Sequence, residues 1–363
     1  MKKYLFYIQS MIGGGAERVM STLINSYSNR GVDVFLATNT ALPFAYDIDK
    51  EVHVIDMYKN DIPVTHSPLN KLKRHFWKYR RIRSIAKEVS PDVAISFVTA
   101  LNNDVILALL GTHIPVVVSE HTNVNREIPR KTSVLRRLLY PFAKTVTVLT
   151  RHDYKIWRTT FKNVVYMPNP CDISETIAPF EERDKTVLAV GRVNMWQIKG
   201  FDILLKSWGL ICDKYRDWQL HIAGATDDKS LAVLEQIADE SCCSNYRFLG
   251  FRKDIKELMA KSSVFVLSSR TEGLPMVLIE AMGAGCCCVA FDCVTGPSEI
   301  IVDGISGLLA QERDHRDLAS KMDIVISNEQ RRLSLSKNAP SSVVKYSTER
   351  VLRRWSILFN KLH

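Results

Sequence analysis

SSRTEGLPMVLIEAMGAG, residues 268–285, has the pattern of a loop that leads from a buried strand into a helix. The apolar run 264–267 just before it is typical of a strand inside a parallel sheet. Pro275 suits the first position of a helix, and residues 276–284 favour helix. Strand, loop and helix in this order predict an α/β fold, with the loop at the carboxyl end of its strand, where open α/β sheets bind ligands.

Two carboxylates bracket this loop. Glu272 lies in the loop, and Glu280 lies on the second turn of the predicted helix, so both side chains can face one ligand. The backbone N–H groups near Gly273 and Leu274, at the helix start, favour an anion. A phosphate there, with carboxylates to bind hydroxyls, fits a sugar nucleotide. The alternative is that Glu272 caps the loop and Glu280 is a solvated glutamate, as most glutamates are.

The alternation of strand and helix runs through the whole chain. Its 363 residues, 46% hydrophobic and 24% charged, are enough for two domains with their own cores. A polar stretch at 174–185 reads as a linker, so we predict domains at 1–175 and 180–344. Strands are predicted at 4–8, 32–37, 52–55, 93–97, 116–119 and 145–149 in the first domain, and at 186–191, 218–224, 246–250, 264–267 and 286–291 in the second.

The positive charge is concentrated in the first half of the chain. The net charge is +10, and residues 1–170 hold 24 Lys+Arg and 13 Asp+Glu, a balance of 24 − 13 = +11. The remainder therefore has a balance of −1. Such asymmetry implies an anionic partner for the first half. A nucleic acid, an acidic membrane surface or a pyrophosphate-bearing substrate would each fit.

Cysteine usage and the apolar runs indicate the compartment. The eight cysteines, with the runs 242–243 and 286–288, fit neither a disulfide framework nor zinc-ligand spacing, and 286–288 reads as part of a buried strand. We infer a reducing cytoplasm. The first residues do not have the pattern of a signal peptide, and no apolar run reaches the roughly 18 residues of a membrane-spanning helix.

A glycine-rich turn, Gly13-Gly14-Gly15, separates the first strand from a helix that we predict to about Asn29. Glycines here let the backbone approach a ligand closely at a helix start, which makes Gly14 and Gly15 candidate ligand contacts. The spacing differs from G-x-G-x-x-G, so a Rossmann dinucleotide site is weakly supported. The alternative is that the glycines serve only a tight turn.

Cationic and imidazole side chains follow two of the predicted strands at their carboxyl ends. His121, in SEHTN at 119–123, directly follows a strand, although a lone histidine is more often structural. Arg126 lies nearby, where it could meet a phosphate. In the second half, Arg192 and Lys199 flank a loop after a strand, an arrangement that suits a diphosphate. Alternatively both are ordinary surface cations, as loop Arg and Lys mostly are.

Residues 69–89, LNKLKRHFWKYRRIRSIAKEV, form the most basic stretch and predict an amphipathic helix. It is either a solvated helix face or a helix that lies on an anionic membrane or binds a lipid pyrophosphate. Steps of three and four give an apolar stripe of Leu69, Leu72, Phe76 and Tyr79, and beside it a cationic stripe of Lys71, Arg74, Lys78 and Arg81.

EGLPMVLIEAMGAG resembles the E-x7-E signature of retaining GT-B glycosyltransferases, in particular family 4. GGGAERV resembles the amino-terminal loop of family 4 enzymes that use UDP-N-acetylhexosamines, and EHTN and GR…KGFD resemble other family segments. The resemblance implies a GT-B fold, in which two Rossmann-like, doubly wound α/β domains face a central cleft. It also implies that the last helix, within 345–363, packs back on the first domain.

The resemblance also implies residue roles. The donor would be a UDP-sugar, with no other cofactor and no metal, because Arg192 and Lys199 would neutralise the leaving diphosphate. Glu280 would bind the ribose, Glu272 the donor sugar, and Phe251 would line the base pocket. His121 would contact the donor sugar from the first domain. The basic helix matches one found in similar enzymes of lipid-linked oligosaccharide assembly.

The expected function is therefore transfer of a sugar, N-acetylgalactosamine first, from a UDP-sugar to a polyprenyl-pyrophosphate-linked saccharide. The enzyme would be cytoplasmic and peripheral at the inner face of the bacterial inner membrane. The alternatives are a transferase for UDP-Gal, UDP-Glc or UDP-GlcNAc, or an epimerase or phosphorylase relative. A nucleic-acid-binding protein is a third class, but the basic stretch has no recognised nucleic-acid motif and no aromatic platform.

Overall fold

A computed structural model describes residues 2–59, 68–121, 123–125, 127–173 and 179–362, with side chains from residue 73 onward in the second of these ranges. The chain divides into two compact units, Met1–Pro170 with Val351–His363, and Cys171–Arg350. The divisions differ from the predicted boundaries at 175 and 345 by a few residues. The reason is local pairing, because the backbone of Cys171 bonds to Tyr346 at 2.8 Å and to Thr348 at 3.1 Å.

The first unit is built on a seven-stranded sheet in which every neighbouring pair is parallel. The strand order is β3-β2-β1-β4-β5-β6-β7. The strands are β1 Lys3–Tyr7, β2 Asp33–Thr38, β3 His53–Asp56, β4 Val93–Phe97, β5 Val116–Ser119, β6 Thr145–Val148 and β7 Val164–Tyr166.

Side-chain alternation along these strands explains why helices cover both faces of the sheet. In β1, Tyr4 and Phe6 pack into one buried cluster, and Leu5 and Tyr7 into another on the opposite face. A strand that is apolar on both faces must be covered on both. The helices that follow these strands are α1 Gly15–Ser28, α2 Pro68–Val89, α3 Thr99–Leu109, α4 Arg130–Leu139 and α5 Arg151–Trp157.

The second unit has a six-stranded parallel sheet in the order β10-β9-β8-β11-β12-β13. Its strands are β8 Asp184–Val190, β9 Gln219–Ala223, β10 Tyr246–Gly250, β11 Ser262–Leu267, β12 Cys287–Phe291 and β13 Leu308–Ala310. Its helices are α6 Trp196–Lys199, α7 Phe201–Gly209, α8 Asp228–Glu240, α9 Ile255–Lys261, α10 Met276–Gly283, α11 Pro297–Ile300, α12 His315–Ser327 and α13 Glu329–Val343.

The cysteine run is buried, as the sequence predicts. Cys286, Cys287 and Cys288 are 0% exposed, and the last two lie in β12. None of the eight cysteines, all of which lie within the described residues, is in a disulfide. Burial raises the pKa of Cys286 to about 11 and of Cys287 to about 12, so these thiols stay protonated and pack as small apolar residues.

The last helix, α14 Thr348–Asn360, completes the first unit rather than the second. Val351, Trp355 and Phe359 join the buried cluster that contains Tyr4 and Phe6. The expectation of two Rossmann-like α/β units, with the final helix on the first, is confirmed. Among the helices of the described residues, none combines the length and apolarity needed to cross a membrane.

Candidate functional site

In the second unit, the predicted site loops leave two neighbouring strands at the same edge of the sheet. Strands β8 and β11 pair in parallel, so their carboxyl ends lie side by side. Gly191 and Arg192 follow β8, and the loop with Glu272 follows β11. The pairing of these two strands brings together residues that are about eighty positions apart in sequence, as the position of the loops predicts.

Lys199 and Glu272 form an ion pair at this edge. The Nζ of Lys199 lies 2.7 Å from Oε1 of Glu272, and their side chains are 21% and 12% exposed. The Lys199 stem passes over Gly191, where an added Cβ would lie 3.2 Å from its Cδ. The lysine therefore crosses from its own helix to the end of β8, beside the exposed Arg192. The sequence predicted a shared site but not this direct contact.

The loop after Lys199 touches the loop after β11 backbone to backbone. Gly200 has φ +67, and a Cβ there would lie 1.9 Å from the carbonyl oxygen of Ser268. A side chain at this position is excluded both by the conformation and by the space. The Ser268 hydroxyl also donates to the Lys199 carbonyl at 2.9 Å. The position of Lys199 is thus set by the end of β11.

A second ion pair, which the sequence analysis missed, joins the same two loops. Arg270 donates to both carboxylate oxygens of Asp202, at 2.8 and 2.5 Å. The Arg270 backbone N–H also donates to the Ile198 carbonyl at 2.9 Å. A bidentate pair fixes direction as well as distance. The sequence contained one indication of this pair, because Arg270 lies in the segment SSRTEGLP and Asp202 in the segment KGFD, both of which were predicted to belong to the site.

Helix α10 begins at Met276, one residue later than predicted, with Pro275 at its N-cap. No side chain caps it, so its first N–H groups are not used by a capping residue. The loop before it is held by the segment that follows β12, because Thr295 donates from its backbone N–H to the Glu272 carbonyl at 3.0 Å and from its hydroxyl to the Gly273 carbonyl at 2.9 Å. Leu274 is buried, and Glu280 is half-buried on the second turn.

Phe251 follows β10 at the same edge of the second sheet. Its ring is 71% exposed. The chain after it is held by an ion pair in which Arg252 Nη2 lies 2.5 Å from Asp254 Oδ2. The structure therefore presents an aromatic face at a carboxyl end.

In the first unit, the glycine loop is shaped as a helix start. Gly13 has φ +120, a conformation that favours glycine. Gly14 is the N-cap of α1 and Gly15 is its first residue, with no side-chain cap. The Tyr46 hydroxyl donates to the Gly14 carbonyl at 3.1 Å and holds the loop.

His121 lies just beyond the carboxyl end of β5. Its ring packs against the Phe97 ring, with centroids 4.2 Å apart and the two planes tilted by 32°. Both ring nitrogens are buried, and neither has a hydrogen-bond partner in the described part of the chain. Burial lowers the pKa of His121 to about 3, so the imidazole is neutral near pH 7. A neutral ring has one donor and one acceptor nitrogen for a ligand hydroxyl.

The structure corrects the predicted stripes on α2. Lys78 is paired with Asp104 of α3 at 2.6 Å, and Arg81 donates to the Asp56 carbonyl at 2.9 Å, so both bind the protein itself. Phe76, a member of the predicted apolar stripe, is 63% exposed. Tyr79, from the same predicted stripe, packs against the buried cluster that contains Ile82, Ile85, Ala86 and Val89. The side chains of Leu69, Lys71 and Leu72, and the whole of Arg126, lie outside the described residues.

The exposed cations of α2 lie on a different face from the predicted one. Lys73 and Arg80 are exposed, and Arg80 lies over the Phe76 ring at 5.7 Å. Arg74 is half-buried. A groove of about 590 Å³ runs along this face, lined by Lys59, Lys73, Phe76, Trp77, Arg80, Arg81 and Ser84. The stretch is a basic helix, as predicted. The contacts that α2 makes with α3 and with β3 decide which of its cations remain exposed.

Two family profiles together match most of the chain. The family described as "Glycosyltransferase Family 4" matches residues 13–175, and the family described as "Glycosyl transferases group 1" matches residues 184–328. The amylovoran biosynthesis glycosyltransferase AmsD of Erwinia amylovora is 30% identical over 373 residues, which cover 99% of this chain and 100% of that protein.

Two further comparisons extend the likeness. A Campylobacter jejuni enzyme, named as an α-1,4-N-acetyl-D-galactosaminyltransferase that acts on a GalNAc-bearing PP-undecaprenol, is 29% identical over 359 residues, 98% of this chain and 97% of that one. The structure of Anabaena HepE in complex with UDP and glucose superposes with a TM-score of 0.81 at 18% identity, covering 99% of this chain and 100% of that one. The last likeness shows the fold alone.

Proposed function

This chain belongs to the family 4 glycosyltransferases of the GT-B fold, and we propose that it transfers N-acetylgalactosamine from UDP-N-acetylgalactosamine, with retention, to a polyprenyl-pyrophosphate-linked saccharide. It is a hexosyltransferase of bacterial polysaccharide synthesis. What is proposed is the donor, the acceptor and the stereochemistry.

The observation that carries the proposal is the grouping of Lys199, Arg192 and Glu272 at one sheet edge of the second unit. When the bond from the sugar to UDP breaks, the diphosphate gains negative charge. An ammonium, a guanidinium and the N–H groups at the start of α10, near Gly273 and Leu274, which no side chain caps, stabilise that charge and lower the barrier. No metal is needed for this, since the cations supply the charge.

The same grouping gives Glu272 a second task. In the described structure it neutralises Lys199 at 2.7 Å. Once a diphosphate binds the ammonium, the carboxylate is left to accept hydrogen bonds from hydroxyls of the donor sugar. On the same unit, Glu280 accepts from the ribose hydroxyls, and the exposed ring of Phe251 stacks on the uracil.

Two features of the first unit, taken by itself, suit a sugar nucleotide. The neutral ring of His121 has one donor and one acceptor nitrogen for sugar hydroxyls, and the backbone at Gly14 and Gly15 has no side chain to keep a ligand away. Transfer breaks the anomeric C–O bond to phosphate and forms a C–O bond to the acceptor on the same face. A donor phosphate oxygen takes the proton that the acceptor hydroxyl loses, so no base from the protein is required.

The acceptor assignment is supported by charge and by a relative. The C. jejuni enzyme is named for a PP-undecaprenol acceptor. In this chain, residues 1–170 carry 24 Lys+Arg against 13 Asp+Glu. Lys73 and Arg80 line the groove beside α2, where a pyrophosphate would be bound by two cations with the aromatic ring of Phe76 beside it.

Helix α4 is a second basic and partly apolar segment of the first unit. It carries Arg130, Lys131, Arg136 and Arg137 and no acidic residue. Its exposed apolar side chains include Val134 at 52% and Leu138 at 61%. Cations beside exposed apolar groups favour an anionic membrane surface. We therefore place the enzyme in the cytoplasm, peripheral at the inner face of the bacterial inner membrane.

A donor screen tests the proposal. The purified enzyme is given an undecaprenyl-pyrophosphate-linked GalNAc acceptor with UDP-GalNAc, UDP-GlcNAc, UDP-Gal or UDP-Glc in turn. We expect the highest kcat/KM with UDP-GalNAc and an α-linked product, read from the anomeric coupling constant by NMR. A clear preference for another donor overturns the sugar assignment, and a β-linked product overturns retention.

A further inference from the structure

The site in the first unit includes a buried carboxyl group that the proposed function leaves without a task. Glu120 stands between the end of β5 and His121, and it is 1% exposed. In the described part of the chain it makes no ion pair. Carboxyl groups are among the side chains least often buried in this way, so a fully buried one calls for an explanation.

Hydrogen bonds from two other elements hold this carboxyl group. Thr99, the first residue of α3, donates from Oγ1 to Oε2 of Glu120 at 2.7 Å. Tyr140, just after α4, donates from its hydroxyl to Oε1. Asn102 of α3 adds two bonds of 3.1 Å, one to the Tyr140 hydroxyl and one to the Ser119 carbonyl. The network thus joins α3, the end of α4 and the end of β5.

The backbone around Glu120 is fixed as well. Its N–H donates to the Thr147 carbonyl of β6 at 2.9 Å, and the Ser119 carbonyl accepts from Val98 at 3.2 Å. Val98 has φ +75, an unusual conformation for a β-branched residue. Strained backbone of this kind persists only where its surroundings hold it, and it is common at functional sites.

His121 itself has no such anchor. The described residues give its ring a tilted ring contact with Phe97 and no hydrogen bond to either nitrogen. Its ring position therefore depends on the backbone that leads into it. Burial raises the pKa of Glu120, while the bonds from Tyr140 and Thr99 oppose the rise.

We propose that Glu120 is a positioning residue: the Thr99–Glu120–Tyr140–Asn102 network fixes the end of β5 and so holds the His121 ring where it meets the transferred sugar. The inference rests on the proposed role of His121. We therefore expect that weakening the network lowers kcat only because it displaces the His121 ring.

The test is a double-mutant cycle. Glu120→Gln keeps the shape of the side chain, but its NH2 group cannot accept the hydrogen bond that Thr99 or Tyr140 donates. Tyr140→Phe removes the Tyr140 donor itself. We expect each to lower kcat by about tenfold to a hundredfold, as loss of a supporting group does elsewhere. UDP affinity, which belongs to the second unit, should stay within about twofold. In a His121→Ala background, neither change should lower kcat further.

A matched control and a direct readout separate positioning from stability. Tyr27→Phe removes another buried hydroxyl group of the first unit. Tyr27 lies near the carboxyl end of α1, and its hydroxyl hydrogen-bonds to Ser356 at 3.3 Å. Tyr27→Phe should shift the melting temperature but leave kcat unchanged. The ring NMR signals of His121 should move in Glu120→Gln and Tyr140→Phe, and not in Tyr27→Phe.

The outcomes distinguish the two proposals. If His121→Ala turns over at the wild-type rate, the role of His121 in the proposed function is wrong. If His121→Ala lowers kcat and adding Glu120→Gln to that variant lowers kcat further, Glu120 does not act through His121 and this inference is wrong. Should Glu120→Gln fail to fold, Tyr140→Phe gives the answer by the same criteria.

Discussion

Lys199 and Glu272 neutralise each other at a separation of 2.7 Å, although they are 73 residues apart in sequence. Both side chains are mostly buried, so removing one takes away the opposite charge nearest to the other in a partly desolvated place.

Lys199→Met should weaken UDP binding by tenfold or more, because the methionine keeps the stem over Gly191 but removes the ammonium. Isothermal titration with UDP measures this. Lys185→Met is the control, since Lys185 pairs with Asp217 at a site where both side chains are 62% exposed, and such a pair contributes little. Equal affinity in Lys199→Met and the wild type would refute the phosphate role.

Glu272→Gln should reduce transfer by about a thousandfold while the fold survives, since losses of this size follow removal of one group that stabilises a transition state. The amide keeps the shape and cannot neutralise Lys199. UDP binding should persist or tighten, because the ammonium no longer has a competing carboxylate. Normal turnover with UDP-GalNAc would remove Glu272 from the site.

Arg270 and Asp202 should act as one unit. Asp202→Asn and Arg270→Met should each weaken UDP binding several-fold, because the bidentate bond that holds the Lys199 loop is lost. The double variant should be no worse than the worse single variant, a non-additivity typical of contacting residues. If the two effects multiply instead, the residues contribute separately.

Acid should destabilise the first unit through His121. Burial lowers its pKa to about 3 in the folded state, whereas the unfolded value is near 6.5. The unfolded chain thus takes up the proton first, and stability is lost progressively below about pH 6.5, by up to about 1.4 kcal/mol per pH unit. His121→Gln does not titrate and should lose less stability between pH 7 and 5 in urea unfolding. If the unfolding free energies of the wild type and of His121→Gln fall equally between pH 7 and 5, the lowered pKa of His121 is contradicted.

Membrane binding should depend on the exposed cations rather than on the predicted stripe. Lys73→Glu with Arg80→Glu should weaken binding to vesicles of phosphatidylglycerol and phosphatidylethanolamine by tenfold or more, since each cation near such a surface contributes about 1 kcal/mol. Lys229→Glu with Lys337→Glu, exposed lysines of the second unit, is the control. Sedimentation with vesicles measures both. Equal loss in the control pair would show a nonspecific effect of net charge.

Much of the fold follows from local pattern. Runs such as 264–267 and 286–291 are apolar because both faces of their strands are covered, and this is visible in sequence. The carboxyl-end position of Glu272, Arg192 and His121 follows from the same pattern, because it needs only the order of strand and loop.

Contacts between distant segments did not follow from the sequence. Lys78 was assigned to an exposed stripe, but Asp104, 26 residues later, binds it because α3 packs beside α2. Likewise the Arg270–Asp202 pair and the Glu120–Tyr140 bond depend on which strands are neighbours. Periodicity within one helix carries no information on such partners, so it cannot tell an exposed cation from a paired one.

The place of α14 has a consequence for synthesis on the ribosome. Val351, Trp355 and Phe359 fill the cluster around Tyr4 and Phe6, yet they are translated after the entire second unit. One apolar face of the amino-terminal sheet is therefore covered by α1 but not yet by α14 while the 180 residues of the second unit emerge. A nascent chain in this state offers the exposed part of that face to chaperones, and a stop codon just before α14 leaves that part permanently exposed.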